Sequence, residues 1–188
     1  MTRPPILVLV LTGAFLLLVT SLLIGSFTEP DFPPYPLGPS GDTLYTLDAS
    51  SGERWQRFHF ARHAVVDSGP WDVAFRRNHM ITAPEAGALD LGPVSFDSVR
   101  DVPGEGYAQT RFGAAGDSTN PAIGKWYSYS MLSHLLTTRN HVYALRTADG
   151  RFVKLQLLAY YCRDVGAACY TMRYQTTRPR ATDSLGAR

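Results

Sequence analysis

An all-β domain behind one N-terminal membrane-spanning helix is the fold class this sequence predicts. Three observations carry it. Residues 6–25 form an uncharged apolar run of 20. Beyond residue 42, segment after segment alternates apolar and polar residues with period two, and none sustains a 3.6-residue period. Two cysteines flank a short glycine-containing stretch between strand-like runs, the signature of a hairpin tip. Composition excludes other classes. At 45% hydrophobic and 12% aromatic, the 188 residues are too apolar for a disordered chain. At 18% charged, they are too polar for a multi-span membrane protein. A net charge of +2 with no basic block gives no reason to propose a nucleic-acid partner.

The N-terminal elements come first. Ile6 to Gly25 suits a hydrocarbon core of ~30 Å at 1.5 Å per residue. It exceeds the roughly 7–15-residue apolar region of a cleaved signal peptide. No A-x-A-like site follows it, and no cysteine lies near its end to carry a lipid. The reading is a retained signal-anchor in contact with the bilayer through residues 6–25, with a cleaved signal as the lesser alternative. Arg3 precedes the span, and Glu29 and Asp31 follow it. The positive-inside rule then leaves residues 1–5 in the cytoplasm of a bacterium and the C-terminal domain in the periplasm, anchored in the inner membrane. Residues 26–42 read as a spacer. The stretch EPDFPPYPLGPS holds five prolines, which exclude a helix or a central strand. Drawn out at ~3.1 Å per residue, it would hold a domain tens of ångströms from the bilayer.

The β domain is expected over residues 43–176. Strands are predicted at Thr43–Asp48, Glu53–Phe60, Trp71–Arg77 and His79–Thr82. Residues 83–125 read as a long irregular excursion with a short strand at Val94–Val99. Strand signals return at Trp126–Ser130, Val142–Thr147, Phe152–Tyr161 and Cys169–Gln175, with one helical turn expected over Met131–Thr138. Asp149-Gly150 marks a tight hairpin. Residues 177–188 read as a flexible tail. Cys162 and Cys169 are expected to form a disulfide, worth about 2–2.5 kcal/mol for so short a loop. The competing reading, a pair of metal thiolates, lacks further cysteine ligands. The architecture expected is an antiparallel sandwich or rolled sheet.

Three stretches together suggest a family. WDVAFRRNHM at 71–80, KWYSYSMLSHLLTTRNHVYALRTADGRFVKLQLLAYY at 125–161 and CYTMRY at 169–174 resemble the HmuY-type haem-binding proteins of bacterial outer surfaces. The resemblance spans about residues 43–176. It implies an all-β fold and haem held between two axial side chains. Such proteins are typically lipoproteins, whereas this chain has a helix anchor and no lipidation cysteine.

Haem iron takes axial donors such as His or Met, an apolar slot, and often cations for the propionates. The candidates are His79 with Met80, His134 and His141, and Arg76 and Arg77 are the candidate cations. For each, the alternative is an ordinary surface or hydrogen-bonded side chain, and Asp72, Arg76 and Arg77 read equally as strand-edge charges or an ion pair. Covalent haem attachment is excluded because no C-x-x-C-H is present. His59 and His63 lie four apart in strand-like sequence, where the helical geometry of a zinc pair fails, so no metal site is expected. No G-x-S-x-G elbow or glycine-rich phosphate loop occurs, and no catalytic residue is assigned. The aromatic residues Trp71, Phe75, Trp126, Tyr127, Tyr129, Tyr160, Tyr161 and Tyr170 read as core and cross-strand pairs.

The anchor steers the functional expectation. It favours a non-enzymatic, single-pass periplasmic accessory subunit that stabilises a larger integral-membrane complex, such as a photosynthetic or respiratory electron-transfer complex. Its partners would be the other subunits, and no cofactor would be required. The alternative is a haem-binding periplasmic or surface protein of HmuY type.

Overall fold

The computed structural model describes residues 5–27, 35–113, 117–162 and 166–180. Helix α1 (Ile6–Ser26) is apolar all round, and its side chains from Ile6 to Ile24 point outward, away from the protein's own core. A helix without a polar face suits lipid. Part of the Pro-rich spacer, residues 28–34, and most of the tail, residues 181–188, lie outside the described residues.

Thirteen strands follow. They are β1 (Gly38–Pro39), β2 (Leu44–Asp48), β3 (Gln56–His59), β4 (Ala64–Val66), β5 (Val73–Arg76), β6 (His79–Thr82) and β7 (Gly87–Asp90). Then come β8 (Asp101–Val102), β9 (Tyr127–Tyr129), β10 (Leu136–Thr138), β11 (Val142–Arg146), β12 (Phe152–Cys162) and β13 (Gly166–Pro179). A large sheet runs β1-β2-β13-β12-β11-β7, with β8 added in parallel along the end of β13. A four-stranded antiparallel sheet, β4-β3-β5-β6, faces it, and β9 and β10 form a separate hairpin. The all-β expectation therefore holds, in its sandwich form.

The long hairpin β12–β13 is the spine of the large sheet. Val153, Leu155 and Leu157 alternate inward along β12 and are buried, as period-two spacing requires. They meet Phe58, Val73, Phe75 and Met80 of the smaller sheet in one core. Aromatic edges lock the two layers: Tyr45 against Phe58 at 4.8 Å and Phe75 against Tyr170 at 4.8 Å. On the other face of β12, Lys154 is buried and donates to the carbonyls of Phe96 and Val99 at 2.9 and 2.8 Å. These carbonyls hold the ammonium that burial would otherwise disfavour, and desolvation lowers its pKa. Cys162 and Cys169 are bonded across the tip of this hairpin, 7 residues apart with Cα atoms 5.4 Å apart. The turn residues 163–165 between them are outside the described residues.

Several local expectations are corrected. The stretch 83–125 is not wholly irregular: β7 within it is the edge strand of the large sheet, paired with β11 from Gly87–Arg146 to Asp90–Tyr143. Val94–Val99 is not a strand but contains a 3-10 turn, Phe96–Ser98, that buries Phe96 and aims its carbonyl at Lys154. The single turn expected over Met131–Thr138 is confined to Met131–Ser133, closed by the His134 N–H on the Ser130 carbonyl at 2.9 Å, and the chain then enters β10, whose backbone is committed to β9. The last strand runs to Pro179 because β8 pairs with Arg178 and Pro179, so residues 177–179 belong to the sheet and not to the tail. Asp72 is no edge charge. It is 4% exposed and accepts from the backbone N–H of Phe60 at 2.9 Å and of Ala148 at 3.4 Å, with His59 Nδ1 3.3 Å away. It ties the small sheet to the β11–β12 turn.

Two outcomes follow from this packing. Phe58→Ala removes a fully buried ring between the layers and should lower unfolding free energy by about 3–5 kcal/mol in urea titration. Burial pushes the phenols of Tyr107 and Tyr160 up from 10.0 to about 12 and raises those of Tyr143, Tyr170 and Tyr174 as well. Their folded pKa values lie above the unfolded ones, so the stability they contribute is intact below pH ~10 and is lost as pH climbs toward ~12. Phenolate absorbance of these five residues should therefore rise together with unfolding; their full ionisation in a still-folded protein near pH 10 would contradict the packing.

Candidate functional site

One end of the sandwich gathers four elements: the end of β2, the β5–β6 turn, the base of the β9–β10 hairpin, and the β12–β13 tip. Tyr170 sits at their junction. It is fully buried, and its ring packs on Phe75, Trp126 and Tyr160. Its hydroxyl donates to the Arg77 carbonyl at 2.8 Å. Burial raises its pKa well above the usual value, so it remains a neutral donor. Arg77 has φ 52°, the left-handed conformation the tight β5–β6 turn demands, and its N–H donates to the Ala49 carbonyl at 2.8 Å. Next to it, the Asn78 carbonyl accepts from Trp126 Nε1 at 3.0 Å, and Asn78 Nδ2 donates to the Tyr127 hydroxyl at 3.0 Å. Leu136 N–H of β10 donates to the Tyr161 hydroxyl at 2.9 Å. Thus the turn and the hairpin are fastened to the same aromatic cluster.

This arrangement sorts the sequence-predicted residues. His79 opens β6 beside the turn and is exposed. His134 lies in the β9–β10 turn, exposed, at φ 57°, with Nδ1 and the Tyr129 hydroxyl 2.5 Å apart in a hydrogen bond. His79 and His134 therefore sit on two elements fastened to one cluster. Arg76 lies over the Trp55 ring at 4.6 Å, and Arg77 donates through Nη1 to the Ser50 carbonyl at 3.1 Å, so both guanidiniums flank the turn. Met80 points the other way: it is 1% exposed, inside the core, and its sulfur is closed to a ligand. His141 opens β11 and is bound through Nδ1 to both carboxylate oxygens of Asp90, at the end of β7, at 2.9 Å. It is fastened to the β7 edge and not to the Tyr170 cluster.

Of these candidate donors, the imidazoles of His79 and His134 remain exposed outside the core. An axial histidine usually has its other ring nitrogen held by an oxygen partner. Tyr129 provides that partner to His134 Nδ1, which leaves Nε2 for iron. Tyr129, expected from the sequence in the aromatic core, is instead half exposed beside this turn. Among the described residues, no three His, Cys, Asp or Glu side chains cluster to hold a bare metal ion.

No protein-family model matches the chain, and no curated protein matches it. Solved structures do. An HmuY analog of Tannerella forsythia, in its apo form, superposes with a TM-score of 0.60 at 14% identity, covering 73% of this chain and 95% of its own. A protein of Bacteroides vulgatus assigned as HmuY-like and heme-binding superposes at 0.62 with 20% identity, covering 74% and 97%. A protein of Bacteroides fragilis assigned as a lipoprotein superposes at 0.61 with 15% identity, covering 77% and 97%. The β domain has the HmuY-type fold.

Tyr170→Phe removes the hydroxyl that donates to the Arg77 carbonyl. It should cost about 0.5–1.5 kcal/mol and speed hydrogen exchange at the amides of Arg77 and Asn78 first. Uniform exchange rates across the domain would show that Tyr170 does not hold the turn.

Proposed function

We propose that this chain is a membrane-anchored haem-binding protein of HmuY type, a binding protein and not an enzyme. The observation that carries the reading is the superposition of its β domain, over nearly the full length of the matched proteins, on HmuY-type structures, one of them assigned as heme-binding. His134, with Tyr129 at its Nδ1, is the primary axial donor, and His79 on the neighbouring turn is the second. Arg76 and Arg77 supply positive charge for the propionates. Bound haem would supply a redox-active iron and a visible chromophore; the chain's own part is to present the imidazoles and the cations. The anchor keeps the domain in the periplasm at the inner membrane, so the protein holds haem at that membrane and does not scavenge at the cell surface.

The second reading, an accessory subunit that stabilises a larger membrane complex, is favoured by one observation. The outward apolar surface of α1 is free of the β domain along nearly its whole length and is open to neighbouring helices.

Haem titration of the full-length protein in mild detergent separates the two. The first reading expects a saturable Soret band at one haem per chain, at least ~10-fold weakened by His134→Ala and by His79→Ala, which corresponds to about 1.4 kcal/mol. Met80→Leu and His141→Ala should leave the band in place. No band above that of free haem, together with elution from native membranes only inside a large particle, would overturn the haem reading in favour of the second.

A further inference from the structure

We infer that the β9–β10 turn is a second membrane contact, resting on the lipid surface beside the exit of the anchor. The length of α1 sets the depth. Its 21 residues span ~32 Å at 1.5 Å per residue, about the full hydrocarbon thickness of ~30 Å. Gly25, one residue from the helix end, therefore lies at the boundary between acyl chains and headgroups.

The turn sits against that residue. Gly25 is the buried residue of the helix end, and a Cβ placed on it would fall 2.1 Å from the Leu132 carbonyl oxygen. Only glycine permits this approach. Whatever touches Gly25 at this depth shares its boundary, so the turn reaches the membrane surface.

The chemistry of the turn agrees with its depth. Met131 is 71% exposed and Leu132 51%, and Tyr129 beside them is half exposed. Among the described residues of the β domain, no other stretch of four presents three large exposed apolar side chains. Phe27, just past the helix, is also apolar and 83% exposed. No charged residue occurs between Lys125 and Arg139, so the turn enters a low-dielectric boundary without burying a charge. Tyr129, with an apolar ring and a polar hydroxyl, belongs to the side-chain types enriched at the headgroup level. The occupant is therefore lipid, continuous with the lipid that surrounds α1. The two contacts together restrict how the domain can rotate about its tether. The inference is independent of haem: it concerns Met131 and Leu132, which are not among the proposed ligands.

The test uses full-length protein in phosphatidylcholine and phosphatidylglycerol vesicles. Leu132→Cys and, separately, Phe112→Cys are labelled with an environment-sensitive fluorophore; among the described residues the native cysteines are both in the disulfide. Phe112 is as exposed as Leu132 but lies in a different loop, so it serves as the control. The expected result is blue-shifted emission at 132, quenched several-fold more by nitroxide-bearing lipid than at 112 and shielded from iodide. Met131→Cys should repeat it, and Gly25→Leu should weaken lipid quenching at 132 by pushing the turn off the helix end. Iodide quenching equal at 132 and 112, without lipid quenching, would overturn the inference. So would shielding from both quenchers, which signifies a protein partner, or a blue shift that disappears on dilution of protein in lipid, which signifies a second copy.

Discussion

The buried ring of Tyr170 is the constraint on which the functional end of the molecule depends. It touches both sheets and the separate hairpin at once, through Phe75, Tyr160 and Trp126. Its hydroxyl fixes the carbonyl of a residue held in left-handed backbone conformation. A phenol serves here where phenylalanine would not, because a tight turn leaves carbonyls that the sheet ladder cannot reach and that burial makes expensive to leave unpaired. Tyr127, Tyr161 and Trp126 repeat the device, each presenting an apolar ring to the core and a polar tip to a turn or a hairpin. Loop positions that would otherwise drift are set by the rigid layers beneath them.

Charge is handled in the same way. Asp72 and Lys154 are both buried: Asp72 accepts from two backbone N–H groups beside His59, and Lys154 donates to two backbone carbonyls. Buried ions are tolerated when their hydrogen-bonding capacity is filled. Each of the two also joins segments distant in sequence: Asp72 holds Phe60 and Ala148, and Lys154 holds the 3-10 turn over the outer face of the large sheet. The sandwich thus carries polar cross-links on both of its sides, and the aromatic end is left as the part whose outward surface can vary in chemistry.

The anchor and the domain are linked by geometry more than by the spacer between them. A glycine at the helix end lets the backbone of the β9–β10 turn come close, and the same turn bears His134. Haem is itself largely apolar, so a site carried on a hairpin at the membrane boundary would meet a ligand of matching solubility. The HmuY-type fold in the superposed Bacteroides fragilis protein accompanies a lipoprotein assignment; the β domain of this chain follows an apolar helix long enough to cross a membrane.

Much of this was legible in the sequence, and the physical reason is consistent. Properties set by neighbours in the chain could be read directly: the apolar span of residues 6–25, the period-two strands β2, β5, β11, β12 and β13, the Asp-Gly turn, and the Cys162–Cys169 pairing across a short loop. Properties set by residues far apart could not. β7 lacks a strong strand pattern and exists because β11 offers it a partner. β10 contains LTT, ambiguous by itself, and is a strand because β9 pairs with it. Val94–Val99 has strand-like residues yet bends into a 3-10 turn, since its carbonyls are drawn to Lys154. The candidate ligands divide on the same ground. His79, Met80, His134 and His141 look alike as a list of donors. The strand pleat turns Met80 into the core while its neighbour His79 faces out, Asp90 captures His141, and Tyr129 orients His134. Which donors a chain contains is a property of its sequence; which of them are free to bind is decided by contacts that form only when distant strands pack.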